Sequence, residues 1–275
     1  MMPKVTIIIP FRDQLDMLEK CVIRVLGTVP DRLNVEILLV DNGSGPAVDD
    51  FIEKIQAIEK IRVLKYPGQF NFSAINNFAA GRATGEFLLF LNNDTYPISD
   101  DWLTCMVDIA EKERVGAVGA CLLYPDETIQ HAGVMLGKNI ATHAFMGFHT
   151  DDKLFVGHYA KQRRWSAVTA ACMMTPRKMF LEMGGFDQTE FPIAYNDVDY
   201  CLRLGRSGME IWVAPEAKLY HYESASRGSD VHSYVTDFGR YLRFRRERAN
   251  ILKKWAKELN DDPYFDSRFL RRRDS

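Results

Sequence analysis

Three short polar stretches hold the side chains best suited to acid–base or metal-binding chemistry: the "NND" of Asn92, Asn93 and Asp94, the "NDVD" that contains Asn196, Asp197 and Asp199, and His221 in "LYHYESASRG". A carboxylate can ligate a hard cation, accept a hydroxyl hydrogen or take a proton, and an imidazole nitrogen can ligate a softer divalent ion. Each stretch also has a plain structural reading. "NND" suits a turn, with Ser99 as N-cap of a helix from Asp100 onward, and a single histidine after a strand is ordinarily a hydrogen-bonded structural group. With Asn196 as N-cap, Asp197 and Asp199 fall in a first helical turn, where each complements the helix dipole by about 0.3–1 kcal/mol.

What separates these readings is where the flanking elements put the polar groups. Residues 87–91 are apolar throughout, the pattern of a parallel strand buried on both faces, and ligands gather beyond the carboxyl ends of such strands. Similar runs at 5–9, 35–40 and 61–64 alternate with helix-like stretches near 14–26, 47–59 and 73–83, which predicts a parallel sheet with right-handed crossovers. Two of these strands end in "IIIPFRD" and "ILLVDNGSG", so Arg12, Asp13 and Asp41 share one sheet edge with Asn92 and Asp94. Separate turns would produce that constellation only by coincidence.

After a strand at 115–120 the alternation stops, and residues 125–161 read as loops and short strands covering the sheet edge. "SAVTAACMMTP" resumes as a buried strand, with Thr175 as N-cap and Pro176 at the first helical position, and the glycines of "MGGFD" suit a left-handed helix end. In "NDVDYCLRLGRSG", Cys201, Leu202 and Leu204 supply the buried side of a helix. Residues 234–259 predict a long helix on which Phe238, Tyr241, Leu242, Ala249, Leu252, Trp255, Ala256 and Leu259 recur at helical spacing. Its other face sets Arg240, Arg243, Arg245, Arg246, Arg248, Lys253, Lys254 and Lys257 against Glu247 and Glu258. That face is either solvated or, together with the terminal "FLRRR", in contact with an anionic membrane surface.

The 275 residues, 47% hydrophobic, suffice for a sizeable core. A net charge of -2, from 35 basic and 37 acidic residues, gives no global field to recruit nucleic acid, and none is expected as a partner. Five dispersed cysteines without a CxxC pair fit reduced thiols in a cytoplasmic protein. "KVTIIIPFRD" is too short for a signal-peptide core, and no apolar run approaches the roughly 20 residues of a membrane span, so the expectation is a soluble protein, at most peripheral on the cytoplasmic face of the inner membrane.

Taken in order, "VTIIIPFRD", "ILLVDNGS", "FNFSAINNFAAGRATGEFLLFLNNDT", "GGFD", "NDVDYCLRLGRSG" and "KLYHYESASRG" resemble the family 2 glycosyltransferases, in particular bacterial rhamnosyl- and galactosyltransferases of cell-surface polysaccharide assembly. The resemblance spans residues 5–228. It implies an α/β GT-A fold, a Rossmann-like, mainly parallel sheet flanked by helices with a C-terminal helical extension. The catalytic domain would occupy 1–230, its nucleotide-binding half about 1–120 and its acceptor half about 121–230, followed by a basic amphipathic helix and tail at 231–275. It further implies inversion, a UDP- or dTDP-linked sugar donor, a saccharide or lipid-linked acceptor, and a divalent metal, Mn²⁺ or Mg²⁺.

By position, Pro10, Phe11, Arg12, Asp13 and Asp41 resemble the elements that hold base and ribose, and Asn76, Asn77 and Arg82 lie where the family lines the nucleotide cleft. Asn92, Asn93 and Asp94 stand at the DxD motif, with Asp94 and His221 as metal ligands and Arg227 placed to neutralise the diphosphate. Asp197 matches the general base. Trp165, Gly185, Phe186 and Asp187 fall on the acceptor side, with Asp199 orienting that loop. The sequence departs from the pattern at Asn92 and Asn196, both acidic in the family, which leaves an inactive sugar-nucleotide or polysaccharide-binding module as the alternative. A sugar-nucleotide pyrophosphorylase would need a Gly-rich loop where "IPFRDQLD" stands.

Overall fold

The computed structural model describes residues 4–137, 140–158, 160–222 and 237–264. Its first half alternates strand and helix as the apolar runs require: β1 (Lys4–Phe11), α1 (Leu15–Thr28), β2 (Asn34–Asp41), α2 (Asp49–Ile55), β3 (Ile61–Lys65), α3 (Phe72–Ala80) and β4 (Phe87–Leu91). Next come β5 (Thr95–Pro97), α4 (Trp102–Ala110), β6 (Val115–Leu123), β7 (Ile129–His131), β8 (Val134–Gly137), β9 (Ile140–His143), α5 (Lys153–His158) and β10 (Arg163–Trp165). The described chain finishes with β11 (Cys172–Pro176), α6 (Arg177–Glu182), α7 (Asn196–Arg206), β12 (Glu210–His221) and α8 (Phe238–Lys254).

The main sheet runs β10-β12-β6-β11-β4-β1-β2-β3, with β5 on β12 and β7 on β6, while β8 and β9 form a separate hairpin. β1 pairs in parallel with both β2 and β4, and β2 with β3. Alternate residues along these strands point to opposite faces. Ile7, Ile9 and Leu89 thus join α1 and α4 through Leu18, Val22, Trp102 and Met106. Ile8, Leu88 and Phe90 join α3, α6 and α7 on the other face, through Ile75, Phe180 and Tyr200.

The second half departs from the sequence reading at several points. In "SAVTAACMMTP" only residues 172–176 form a strand, and β11 lies antiparallel to both its neighbours, β4 and β6. Thr175 caps nothing; its hydroxyl bonds the Gly116 carbonyl and the Tyr200 hydroxyl, and Pro176 precedes α6 instead of opening it. Ser99 donates to the Glu216 carbonyl, and α4 starts only at Trp102. Asn196 is the first residue of α7, its amide donating to the Ile193 carbonyl, and the residue before it, Tyr195, sits at φ 62°. The expected left-handed helix end is present at Gly184 and Gly185.

α8 is oriented differently from its predicted face. Ile251 and, just beyond the helix, Trp255 and Leu259 are buried as expected, but so is Glu247, whereas Phe238 and Leu242 are 57% and 51% exposed. Among the described residues no helix is long and apolar enough to cross a membrane.

Candidate active site

The carboxyl ends of β1, β2 and β4 open into a cleft of about 670 Å³. Asp13 and Gln14 leave β1 with φ 53° and 55°, a sharp turn that swings the chain toward β2. There the Asp13 amide donates to Ser44 Oγ, and its carboxylate accepts the Gly45 N–H, each at 2.8 Å. Asp41 lies beneath this junction, buried, its carboxylate accepting the Ser44 N–H. Asn42 is the group beside it that lines the cleft: its amide nitrogen is held by the Gly68 carbonyl at 2.7 Å, and its buried Oδ1 has no hydrogen-bond partner.

Beyond β4 the backbone of Asn92 is pinned to the Ala171 carbonyl, which turns Asn92, Asn93 and Asp94 into the cleft. Asp94 is 5% exposed, and its Oδ1 faces His221 Nε2 at 3.3 Å. Gln130 Oε1 contacts His221 Nδ1 at 2.5 Å. An amide oxygen can only accept, so Nδ1 carries a proton and donates it to Gln130, and on the other side of the ring Nε2 faces both the Asp94 carboxylate and the Asn92 amide nitrogen, at 3.3 and 3.4 Å. A carboxylate oxygen and an imidazole nitrogen therefore converge in a buried corner, and Asp94 Oδ1 makes no hydrogen bond there. This donor set fits a divalent cation with mixed nitrogen and oxygen preference, and Gln130 is the outer partner that orients the imidazole. Among the described residues no three acidic, histidine or cysteine side chains converge on one point, so an ion held by Asp94 and His221 would complete its coordination with other oxygen donors, such as water or a bound anion.

Across the cleft Asp197 is the second residue of α7. Its Oδ2 accepts the Ala170 N–H at 3.0 Å and its Oδ1 the Val198 N–H at 2.8 Å, which fixes the carboxylate at the cleft wall. The loop before it is braced from α8: the buried Glu247 carboxylate accepts the N–H groups of Ile193 and Ala194 at 3.0 and 3.2 Å. Tyr195 and Phe244 then stack at 5.9 Å between ring centroids on the cleft edge.

The structure thus brings Pro10, Phe11, Arg12, Asp13, Asn92, Asn93, Asp94, Asp197 and His221 to one cleft. The other expected site residues do not line it. Asn76 is buried, with its amide donating to the Phe72 carbonyl, and Asn77 bonds both backbone groups of Phe186. The Arg82 guanidinium stacks 3.7 Å above Phe78. Trp165 is buried in the core, Phe186 packs between Phe90 and Phe180, and Gly185 provides a φ of 70° beside Asn77. The Asp187 carboxylate accepts the Thr189 and Glu190 N–H groups and pairs with Lys254. Asp199 is fully buried among Arg203, Lys254 and the Trp255 indole N–H, at 2.9, 2.8 and 2.8 Å. These side chains hold the wall of the site and are not its lining. Arg227 lies outside the described residues.

Sequence reasoning missed Asn42, Gln130, Tyr195 and Phe244. Asn42 follows Asp41 in a stretch already singled out, so its signal was present. Gln130 sits in "TIQHAG", where no periodicity marks which side chains point inward.

A family model described as Glycosyl transferase family 2 matches residues 6–180. The O-antigen biosynthesis protein RfbC of Myxococcus xanthus is 38% identical over 83% of this chain, which spans only 18% of that protein's length. An N-acetylglucosaminyl-diphospho-decaprenol L-rhamnosyltransferase of Mycobacterium tuberculosis is 23% identical over 73% of this chain and 71% of its own. Among solved structures, the mannosyltransferase PcManGT of Pyrobaculum calidifontis, in complex with GDP-Man and Mn²⁺, superposes with a TM-score of 0.65 at 16% identity, over 92% of this chain and 65% of its own. The sheet is that of a GT-A fold. With the polar strand ends gathered at one cleft and the family model covering most of the sheet, the chain belongs to glycosyl transferase family 2.

Proposed function

We propose that the protein is an inverting glycosyltransferase that moves a sugar from a UDP- or dTDP-linked donor to a hydroxyl of a saccharide or lipid-linked saccharide during cell-surface polysaccharide assembly. The observation that carries the reading is the buried Asp94–His221 corner facing Asp197 across one cleft. Asp94 and His221 would hold Mn²⁺ or Mg²⁺, which when bound supplies positive charge against the donor diphosphate. The unpartnered Asn42 Oδ1 suits the N3–H of a uracil or thymine, and Asp13 suits ribose hydroxyls.

Asp197 takes the proton from the acceptor hydroxyl. The freed oxygen attacks the anomeric carbon from the face opposite the diphosphate, the bond from that carbon to the phosphate oxygen breaks, and the configuration inverts without a covalent enzyme intermediate. The stacked Tyr195 and Phe244 offer aromatic faces to sugar C–H groups. The names of the Myxococcus and Mycobacterium relatives support a polysaccharide pathway and a lipid-linked acceptor. On the outer face of α8, Phe238 and Leu242 stand beside Arg245, Arg246 and Lys253, a combination suited to an anionic membrane surface in the cytoplasm, where such an acceptor would be met.

The test is thermal stability against a panel of UDP-, dTDP- and GDP-sugars with Mn²⁺, followed by transfer assays with the nucleotide that binds. A donor at 100 times its Kd stabilises by about 2.7 kcal/mol. Binding without turnover on any saccharide acceptor would favour the inactive binding module, to which Asn92 and Asn196 point; no binding by any sugar nucleotide would reject the transferase and leave only the polysaccharide-binding form of that module.

A further inference from the structure

A second cavity, of about 430 Å³, shares two elements with the cleft. α7 gives Asp197 and Val198 to the cleft and, one turn or about 6 Å further along, Leu202 and Gly205 to this cavity. β8 gives Val134 to the cleft and Leu136 to the cavity. Another wall is the segment 258–264 that follows α8. The Asp262 carboxylate fastens it, accepting the Leu136 N–H and the Ser166 hydroxyl at 2.8 Å each, so the cavity is built into the fold.

Its lining is apolar at Leu136, Leu202, Met209 and Ile211 and aromatic at Trp165 and Tyr264. Around these stand three guanidinium groups, each held by an acceptor: Arg164 by Glu210 at 2.6 Å, Arg206 by Glu258 Oε1 at 2.7 Å and Arg114 by the Gly208 carbonyl at 3.0 Å. With Asp261, three negative charges in the lining meet the three positive ones. No surplus charge is left to attract a phosphate or a nucleotide. Polar capacity is left, because a guanidinium has five N–H donors and a carboxylate about four acceptor sites, more than these pairs use. Glu258 Oε2 in particular is buried and has no hydrogen-bond partner among the described residues, a costly state until a donor meets it. An uncharged polyol with an apolar C–H face suits such a lining: hydroxyls for the charged pairs and for Glu258, C–H groups for the aromatic and aliphatic surface.

We infer that this cavity is a second, non-catalytic saccharide site, which holds a neutral sugar unit of the acceptor chain apart from the unit that reacts at Asp197. That the sugar belongs to the acceptor rests on the glycosyltransferase reading; that the cavity takes a neutral sugar rests on its own lining. A chain engaged at both sites makes its second contact intramolecularly, so a long acceptor is retained where a single sugar is released. Selectivity comes from the buried carboxylate, since a sugar without a hydroxyl at that point leaves Glu258 Oε2 unpaired.

Backbone ¹H–¹⁵N spectra of the full chain, recorded without nucleotide or metal, test it. Methyl α-rhamnopyranoside, methyl β-galactopyranoside and N,N′-diacetylchitobiose are titrated in turn, with inorganic phosphate as the charged probe. At least one sugar should move the amide signals of Gly205, Gly208 and Met209 saturably, and phosphate should leave them in place. Gly205→Leu fills the cavity from α7, where an added Cβ meets nothing within 4 Å, and should abolish the shifts at Gly208 and Met209. Glu258→Gln removes the charged acceptor at constant size and should weaken the sugar's affinity about tenfold or more, the worth of one hydrogen bond to a charged group; it carries the test whether or not the filled variant folds. Signals unmoved by all three sugars, signals moved by phosphate instead, shifts that persist in a folded Gly205→Leu protein, or equal affinity of Glu258→Gln and wild type would each overturn the inference. Failure of wild type to bind UDP in a separate titration would count against the donor reading alone.

Discussion

At the residue scale the site is organised by two carboxylates in contrasting surroundings. Asp94 is buried against an imidazole and makes one contact suited to a cation, whereas Asp197 is held by two backbone N–H groups at the open wall. Replacing Asp197 by Asn preserves size and helix start while removing the proton acceptor. Sugar transfer is expected to fall about 10²–10⁴-fold with nucleotide affinity retained; near-normal initial rates would reject Asp197 as the base. Asp199→Asn should act differently, because that side chain is fully buried in an ion-pair cluster with Arg203 and Lys254. Its substitution should lower the denaturation midpoint by an amount equivalent to about 3–5 kcal/mol. A change in turnover at unaltered stability would contradict the structural role.

A further residue-scale prediction concerns acid stability. Glu36 is buried, which on its own raises a carboxyl pKa, but the Thr84 N–H, the Thr6 and Thr84 hydroxyls and Arg62 outweigh this and hold it below its ordinary value of 4.5. Its stabilising effect is therefore present above that value and is lost as pH falls through the lower folded-state pKa. Glu36→Gln should destabilise by more than about 1 kcal/mol at pH 7, with the gap to wild type closing in acid. Urea unfolding at several pH values reads this directly, and a gap independent of pH would count against it.

At the scale of elements, β1 to β4 were legible almost to the residue, because a continuous apolar run bounded by turn signals is how a doubly covered strand is written. The path of 166–171 was not. Its residues look like a buried strand, yet the Thr169 and Ala170 amides donate to His131 and Asp197, not to a ladder. Composition shows that a segment is buried but not which groups its amides serve. Nor does it show strand direction, which is why the antiparallel β11 was missed. The inward-facing Glu247 on α8 escaped for a related reason: a carboxylate on a basic helix reads as solvated until the unpaired N–H groups of 193 and 194 are seen opposite it.

Glu247→Ala should lower stability by about 1–3 kcal/mol, since two part-buried backbone donors lose their buried acceptor, and should slow transfer because the loop carries Tyr195 and leads into Asp197. Equilibrium unfolding together with turnover decides this, and unchanged values for both would remove α8 from the account of the site. Gly133 is a second element-scale constraint. It sits at φ 116°, which favours glycine, and a Cβ there would run into the Trp165 ring. Gly133→Ala should cost at least about 2 kcal/mol from strain and overpacking combined; a wild-type thermal midpoint would show that the hairpin can shift away.

At the scale of the whole molecule, the sheet places every strand end that mattered in the sequence on one rim, and the second half of the chain builds the opposite wall around α7 and α8. α8 is packed into that wall through Glu247 and Ile251, with Trp255 just beyond it, so a truncated chain would expose the core and would not be a fair test of membrane contact. Charge reversal of the exposed Arg245 and Arg246 leaves the packing intact, and it should reduce flotation with anionic liposomes by about 1 kcal/mol per residue. Equal flotation of the variant and wild type would remove the membrane from the account.

The central claim is that Asp94 and His221 form a corner completed only by metal and nucleotide together. Isothermal calorimetry of UDP and dTDP, with and without Mn²⁺, on wild type and on Asp94→Ala measures it most directly. Wild type should bind nucleotide markedly more tightly with Mn²⁺ and bind Mn²⁺ alone only weakly, while a folded Asp94→Ala loses the metal-dependent gain. An Asp94→Ala protein that keeps the full Mn²⁺-dependent affinity would contradict the account.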